Sequence, residues 1–294
     1  MTALVFRYWH EGLDPNQCIS VDGDAPGRVH LSHWRGNRTP TQFQHMLSTG
    51  SCLLFNKAPD REQMLQGITT VTNNHWDADG LCSAFAILEP KQAADFAPVL
   101  MATAMAGDFD HFSSPEGVKI NLTINALAKH PYSPVRTDLF GTKLEARVAQ
   151  YEHGLKLLPK LVANPDLHAD WFAREYWTIL QDMRAMREDK AHIKFEEVWD
   201  AAIVRSDRMY HTMAVNTATE TSRVISVIEV ETGGCLFEYR FTTRSWFEFT
   251  RLPSYKGRYD WSRLVNLLNK MFPGYGGAWV ADDWREPNAR LRFQ

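Results

Sequence analysis

The chain has 294 residues, 44% of them hydrophobic and 23% charged, with a formal net charge of −3. Those figures describe a folded protein of one large or two ordinary domains, and the balance of charge argues against a generally basic nucleic-acid surface. Cys18, Cys52, Cys82 and Cys235 are scattered with no CxxC pair, which points to free thiols in a reducing cytoplasm rather than a disulfide frame or a cysteine zinc site. The start MTALVFRYWHEG lacks a basic segment followed by a long apolar core, so no signal peptide is expected. No window approaches about 18 uninterrupted apolar residues, so no membrane span is expected either. The ten Trp and nine Tyr are most simply core and interface residues.

In chain order, Cys18–Val21 reads as a strand leading into Asp22-Gly23-Asp24, with Pro26-Gly27 closing a turn. Arg28–His33 alternates and ends in Trp34-Arg35-Gly36-Asn37-Arg38-Thr39-Pro40. Thr39 can cap a helix over Pro40–Leu47, with Pro40 at its first position, ahead of the apolar Cys52–Phe55. Arg35 and Arg38 before that helix make an anion site or a solvated loop paired with surface acids. Ile68–Thr72 is short and β-branched, as a buried parallel strand should be. It runs into Asn73-Asn74-His75-Trp76-Asp77-Ala78-Asp79-Gly80, and Leu81–Leu88 then continues as a helix. A third strand is predicted over Val99–Ala106, ending in Gly107-Asp108-Phe109-Asp110-His111-Phe112. Three strand ends followed by polar, ligand-like residues predict a mainly parallel α/β sheet flanked by helices, with a site along its carboxyl edge.

Residues 117–204 read as mostly helical, over Val118–Lys129, Thr142–Leu158, Ala169–Glu188 and Phe195–Val204. Asp166, His168 and Asp170 open the third of these helices and are more simply caps than ligands. Beyond about residue 205 the pattern changes. Arg223–Glu231, the turn Thr232-Gly233-Gly234 and Cys235–Phe249 form a β-hairpin. Trp261–Met271 is an amphipathic helix, and short strands lie around Ala278–Ala281 and Ala289–Phe293. The expected organisation is an α/β metal or phosphate domain over 1–205 and a smaller α+β substrate-binding domain over 206–294.

The acidic turns carry the chemistry. Residues i, i+2 and i+4 of an extended turn converge on one side. His75, Asp77 and Asp79 are therefore candidate ligands of a divalent cation, Mn²⁺ or Mg²⁺, with Asp108 arriving from the next element. Asp110 and His111 stand next in line as a supporting hydrogen-bond partner or a general acid. The competing explanation is an Asx-type turn in which Asp77 and Asp79 only cap the following helix. An EF-hand is not expected, because its 12-residue loop with a closing Glu is absent.

HWDADGLCSAFAI resembles motif I of the DHH phosphoesterase superfamily: a strand, an H/D-x-D-x-D-G turn and a small-residue helix that here begins at Ser83. The resemblance implies an α/β domain carrying Mn²⁺ ions and a smaller C-terminal domain with a glycine-rich substrate loop. Gly274-Tyr275-Gly276-Gly277-Ala278-Trp279, followed by Arg290 and Arg292, is similar in placement to that loop, and Asp108 is similar to the second metal-binding motif. The Asp-His-His motif that names the superfamily is absent; no His-His pair occurs. The sequence is also similar to a small bacterial family of unassigned function sharing LSHWRGNRTP and NHWDADG. The expected function is thus a metal-dependent phosphoesterase acting on a phosphorylated small molecule or a short oligonucleotide. Arg35, Arg38, Asn74, Gly276, Gly277 and Arg290 are the expected substrate contacts. Its rivals are a non-catalytic nucleotide- or anion-binding protein and an assembly role with Trp residues in an oligomer interface, such as a homodimer.

Overall fold

The computed structural model describes residues 4–34, 36–188, 191–229, 235–242, 259–273, 276–286 and 289–293. The chain divides into two compact units, Met1–Tyr176 and Trp177–Gln294. Residues 177–205, expected with the first domain, fall in the second unit. No helix among the described residues is long and apolar enough to cross a membrane.

The first unit is built on a parallel sheet of β1 (Val5–Phe6), β2 (Cys18–Val21), β3 (Val29–Leu31) and β4 (Thr70–Thr72), in the order β1-β4-β2-β3. Ile19 pairs with Val29 on one side and Val71 on the other, and all residues of β2, β3 and β4 are buried. That burial is why these strands read as short apolar runs. The connection from β2 to β3 has no helix. Residues 22–28 turn back through left-handed backbone at Asp22 (φ 44°) and Gly23 (φ 113°). Arg28 N then donates to the Pro15 and Cys18 carbonyls at 2.8 and 2.9 Å. This is shorter than the dozen or so residues a parallel crossover ordinarily takes, and the return path lies directly against β2. A Cβ on Gly27 would stand 2.8 Å from Ser20 N and 2.9 Å from the Val29 carbonyl, so only glycine passes there.

Helices α1 (Ser48–Asn56), α2 (Arg61–Met64), α3 (Ala78–Leu88), α4 (Pro90–Asp108), α5 (Pro115–Leu127) and α6 (Lys143–Ala163) complete this unit, and α7 (Ala169–Arg187) spans the division. α3 is buried on every side from Ala78 to Ile87, as a helix with apolar residues on every face must be. Leu81, Phe85 and Ile87 pack with Ile19, Val71, Phe55, Leu100, Ile124 and Tyr151 in one core.

Three expected elements differ. Pro40–Leu47 holds only a single 3-10 turn, Thr41–Phe43, and the helix starts at Ser48, taking in Cys52–Phe55. Thr39 does not cap it, because its hydroxyl donates to the Ser32 carbonyl at 2.6 Å and accepts from Ser32 N at 2.8 Å. Val99–Ala106 is the second half of α4 rather than a strand; its Leu, Met and alanine residues are strong helix formers. Phe195–Val204 is two strands, β5 (His192–Glu196) and β6 (Ala201–Ser206), separated at Asp200 with φ 47°. There the Asp200 carboxylate accepts from Ser222 N at 3.2 Å, and pairing with the next strand overrides the helix-compatible spacing.

The second unit holds a six-stranded mixed sheet of β5, β6, β7 (Arg223–Glu229), β8 (Cys235–Phe241), β9 (Trp279–Ala281) and β10 (Arg290–Phe293), in the order β5-β6-β7-β8-β10-β9. β6 and β7 are parallel and are joined through α8 (Thr212–Thr219); the other pairs are antiparallel. Phe241 stacks on Trp261 at 4.7 Å beside α9 (Ser262–Met271). β7 and β8 pair antiparallel, as the expected hairpin requires, while residues 230–234 and 243–249 of that hairpin lie outside the described residues; β5 and nearly all of β6 precede residue 206.

Gly27→Ala is expected to lower the unfolding free energy by about 1–3 kcal/mol, the usual range for overpacking, in urea denaturation followed by circular dichroism. An unchanged midpoint would show that the β2–β3 return has room for a side chain.

Candidate metal centre

The carboxyl ends of β2, β3 and β4 deliver the chemistry. Asp22 follows β2 directly, His33 lies just past β3, and Asn73 and His75 follow β4. Asp77 is the N-cap of α3, its Oδ1 accepting from Gly80 N at 2.7 Å. Asp79 sits in the first turn of α3, and Asp108 is the last residue of α4.

These side chains form two groups that share Asp22: Asp22, His33 and Asp79, all buried, and Asp22, His75 and Asp77, more open. Within each group the ligand atoms lie within 4.8 Å of one another. His75 Nε2 stands 2.9 Å from Asp22 Oδ2 and 2.7 Å from Asp77 Oδ2. His33 Nε2 stands 3.4 Å from Asp22 Oδ1 and 3.3 Å from Asp108 Oδ2. Ser48 Oγ and Trp34 Nε1 donate to Asp22 Oδ1 at 2.8 and 3.1 Å. Asp79 receives the Ser48 and Thr49 N–H groups at 2.7 and 2.8 Å, so it also satisfies the start of α1.

The donor set suits a hard cation. Carboxylates with imidazole match Mn²⁺, and the thiols offer nothing, since burial raises Cys52 and Cys82 well above their usual range. His33 carries a specific signature. Its Nδ1 donates to the Met46 carbonyl at 2.8 Å, which in the neutral ring leaves the Nε2 lone pair facing two carboxylates. That orientation is the one a ligating histidine takes, with its far N–H fixed on a backbone oxygen. His30 is built otherwise: Nε2 donates to the Gly23 carbonyl and Nδ1 accepts from Arg38 N. Both of its nitrogens are used, and burial lowers its pKa.

Electrostatics show what the cluster needs. Burial first, then Asp79, Asp77 and Asp22, push Asp108 well above the usual carboxylate range. Burial and Asp22 push Asp79 to about 6. Burial works against a charged His75, but Asp77 and Asp22 outweigh it and raise the ring. Asp22 is held down to about 2, since His75 and His33 overcome its burial. Without a cation the cluster keeps protons to limit its own repulsion; a divalent cation replaces them.

His75, Asp77, Asp79 and Asp108 thus meet at one edge, Asp108 coming from a helix end rather than a strand end. Among the described residues Asp110 and His111 belong to neither ligand group; Asp110 is in left-handed backbone after α4, at φ 45°. Arg38 directs a guanidinium N–H to the Gly27 carbonyl at 3.4 Å, and Arg35 lies outside the described residues. Asn74 bonds Asp24, and its carbonyl accepts from Tyr8 at 2.5 Å. Gly276, Gly277 and Arg290 belong to the second unit. There Gly276 has φ 74°, and Arg290 meets Glu238 at 3.4 Å and Thr212 at 3.5 Å. Gly274 and Tyr275 lie outside the described residues. Asp166 pairs with Lys119 at 2.8 Å, and His168 stacks on Trp171 at 4.2 Å. The sequence reading missed Asp22 and His33. Their signal was the one that found Asp77, a ligand-type residue just past a short apolar strand.

The shifts fix the sign of a pH effect. Asp79, raised above its usual 3.8 to about 6, stabilises the fold fully below the unfolded value, and that contribution is lost as pH rises through about 6. The raised Asp108 and His75 act in the same direction. Metal-free protein is therefore expected to melt at lower temperature as pH rises from about 4 to about 8. Asp108→Asn, which mimics the protonated acid, is expected to flatten that fall. Equal slopes in calorimetry would show that the crowded carboxyls are not its source.

No curated protein matches the chain. The chain belongs to a family of unknown function (DUF6687), which matches it over residues 2–294.

Proposed function

We propose that the protein is a metal-dependent hydrolase of phosphate esters, built on a two-cation centre in which Asp22 is the shared ligand. The observation that carries this reading is the pair of histidine–carboxylate groups meeting at Asp22. His33 and Asp79 would hold the inner cation, and His75 and Asp77 the outer one. Asp108 faces His33 and completes the negative charge. Bound cations would supply a nucleophilic water at neutral pH and a counter-charge for phosphoryl oxygens. The chain's own part is to fix the carboxylates before substrate arrives. Asp79 is locked on the α1 N-terminus, Asp77 on the α3 N-terminus, and Asp22 under Ser48 and Trp34. The outer group is where substrate would meet the site, because the side chains of Asp77 and His75 are 32% and 22% exposed.

A second reading is favoured by the burial of the inner group, with Asp22 and Asp79 fully covered and His33 1% exposed. On that reading a resident cation holds the strand ends together in a protein that binds an anionic ligand without turnover.

Purified protein loaded with Mn²⁺ is expected to carry two ions per chain by elemental analysis and to hydrolyse members of a phosphomonoester and phosphodiester panel. Asp22→Asn is expected to lose both ions and activity, and Asp77→Asn the outer ion. Two ions bound without turnover would select the second reading, whereas no bound metal in the wild type would end both.

A further inference from the structure

Beside the ligand groups, and sharing Asp22 with them, lies a second set of buried polar atoms. Asn73 Nδ2 and Tyr151 Oη are buried and make no hydrogen bond among the described residues, and Asp22 Oδ2, which meets His75 Nε2 at 2.9 Å, is buried beside them. They converge on the bare Cα of Gly80. A Cβ there would stand 2.7 Å from Asn73 Nδ2, 2.7 Å from Tyr151 Oη and 3.1 Å from Asp22 Oδ2. A side chain at that position would clash with all three, so glycine leaves these polar atoms close together around one small space.

Each group is aimed there by its own supports. Asn73 Oδ1 accepts from His75 N at 2.7 Å, which fixes the amide with its NH₂ toward Gly80. The Tyr151 ring is clamped, stacked on Phe6 at 4.2 Å and meeting Trp76 edge-on at 5.1 Å. Its phenolic O–H is a donor as well as an acceptor. Two donors and one carboxylate acceptor around a one-atom space match the hydrogen-bonding pattern of a water molecule, which buried sites typically hold with about three partners. A phosphoryl group is excluded, since the space is closed and Asp22 would repel it.

We infer that Asn73, Tyr151 and Asp22 hold one buried water over Gly80, through which Tyr151 acts as a positioning residue for the Asp22 carboxylate. The water donates to Asp22 Oδ2 and accepts from the amide and the phenol. Asp22 Oδ2 is thereby tied to α6 while its other oxygen is held by Ser48 and Trp34. This role rests on the cation reading of Asp22; the water site itself does not.

Two measurements on the full chain test it. A high-resolution crystal structure of metal-free protein is expected to show a solvent oxygen within hydrogen-bond distance of all three atoms; a site without that density overturns the inference. Calorimetric titration with Mn²⁺ is expected to show about tenfold weaker binding in Tyr151→Phe, the low end for losing a partner of a metal ligand. Tyr151→Phe keeps the aromatic clamp, so its metal-free melting temperature is expected to stay close to wild type. Affinity equal to wild type, or a loss of affinity matched only by a loss of fold, overturns the positioning role. If wild-type protein takes up no Mn²⁺, the cation reading and the positioning role both fail, and the crystal density alone decides the water site.

Discussion

The structure turns on charge crowding around Asp22. Its carboxylate is fully buried, within hydrogen-bonding range of His75 and close to His33. Asp79 and Asp108 sit in the same cluster with their pKa values pushed up by burial and by one another. Burying several acids together is costly unless positive charge or protons come with them. His75, raised by Asp77 and Asp22, supplies part of that charge. What remains unbalanced is the cluster's capacity to take a cation.

The fold is arranged to bear this cost. Strands of three or four residues end at one edge, and α3, buried throughout, presses its acidic N-terminus against them. Asp79 serves a second element by receiving the first N–H groups of α1. The core beneath, from Ile19 and Val71 through Leu81 and Phe85 to Ile124, offsets the electrostatic strain by apolar burial at roughly 25 cal/mol per Å². The left-handed backbone at Asp22 belongs to the same economy: a residue type that tolerates that conformation aims a carboxylate from a tight return.

How far the site could be read from the sequence depended on how local its parts are. His75, Asp77 and Asp79 lie in one turn, so alternation alone grouped them. Asp22 and His33 are single residues after separate strands, and only the order β4-β2-β3 brings them to that turn. Sheet order is set by packing, which residue spacing does not encode. Tyr151 was hidden for the same reason, sitting on α6 far along the chain. The supposed strand Val99–Ala106 failed because a buried apolar run carries no period that separates helix from strand, yet its terminal Asp108 still reached the site from the end of α4. The hairpin and C-terminal helix of the second unit were legible because their periods are local and clean. Phe195–Val204 was not, since pairing of β6 with β7 decides it.

The most direct test of the central claim is anomalous diffraction at the manganese edge from crystals soaked in Mn²⁺. The account predicts two peaks, both in contact with Asp22, one beside His33 and Asp79 and the other beside His75 and Asp77. Absence of a peak at Asp22, with manganese found only on scattered surface acids, would contradict it.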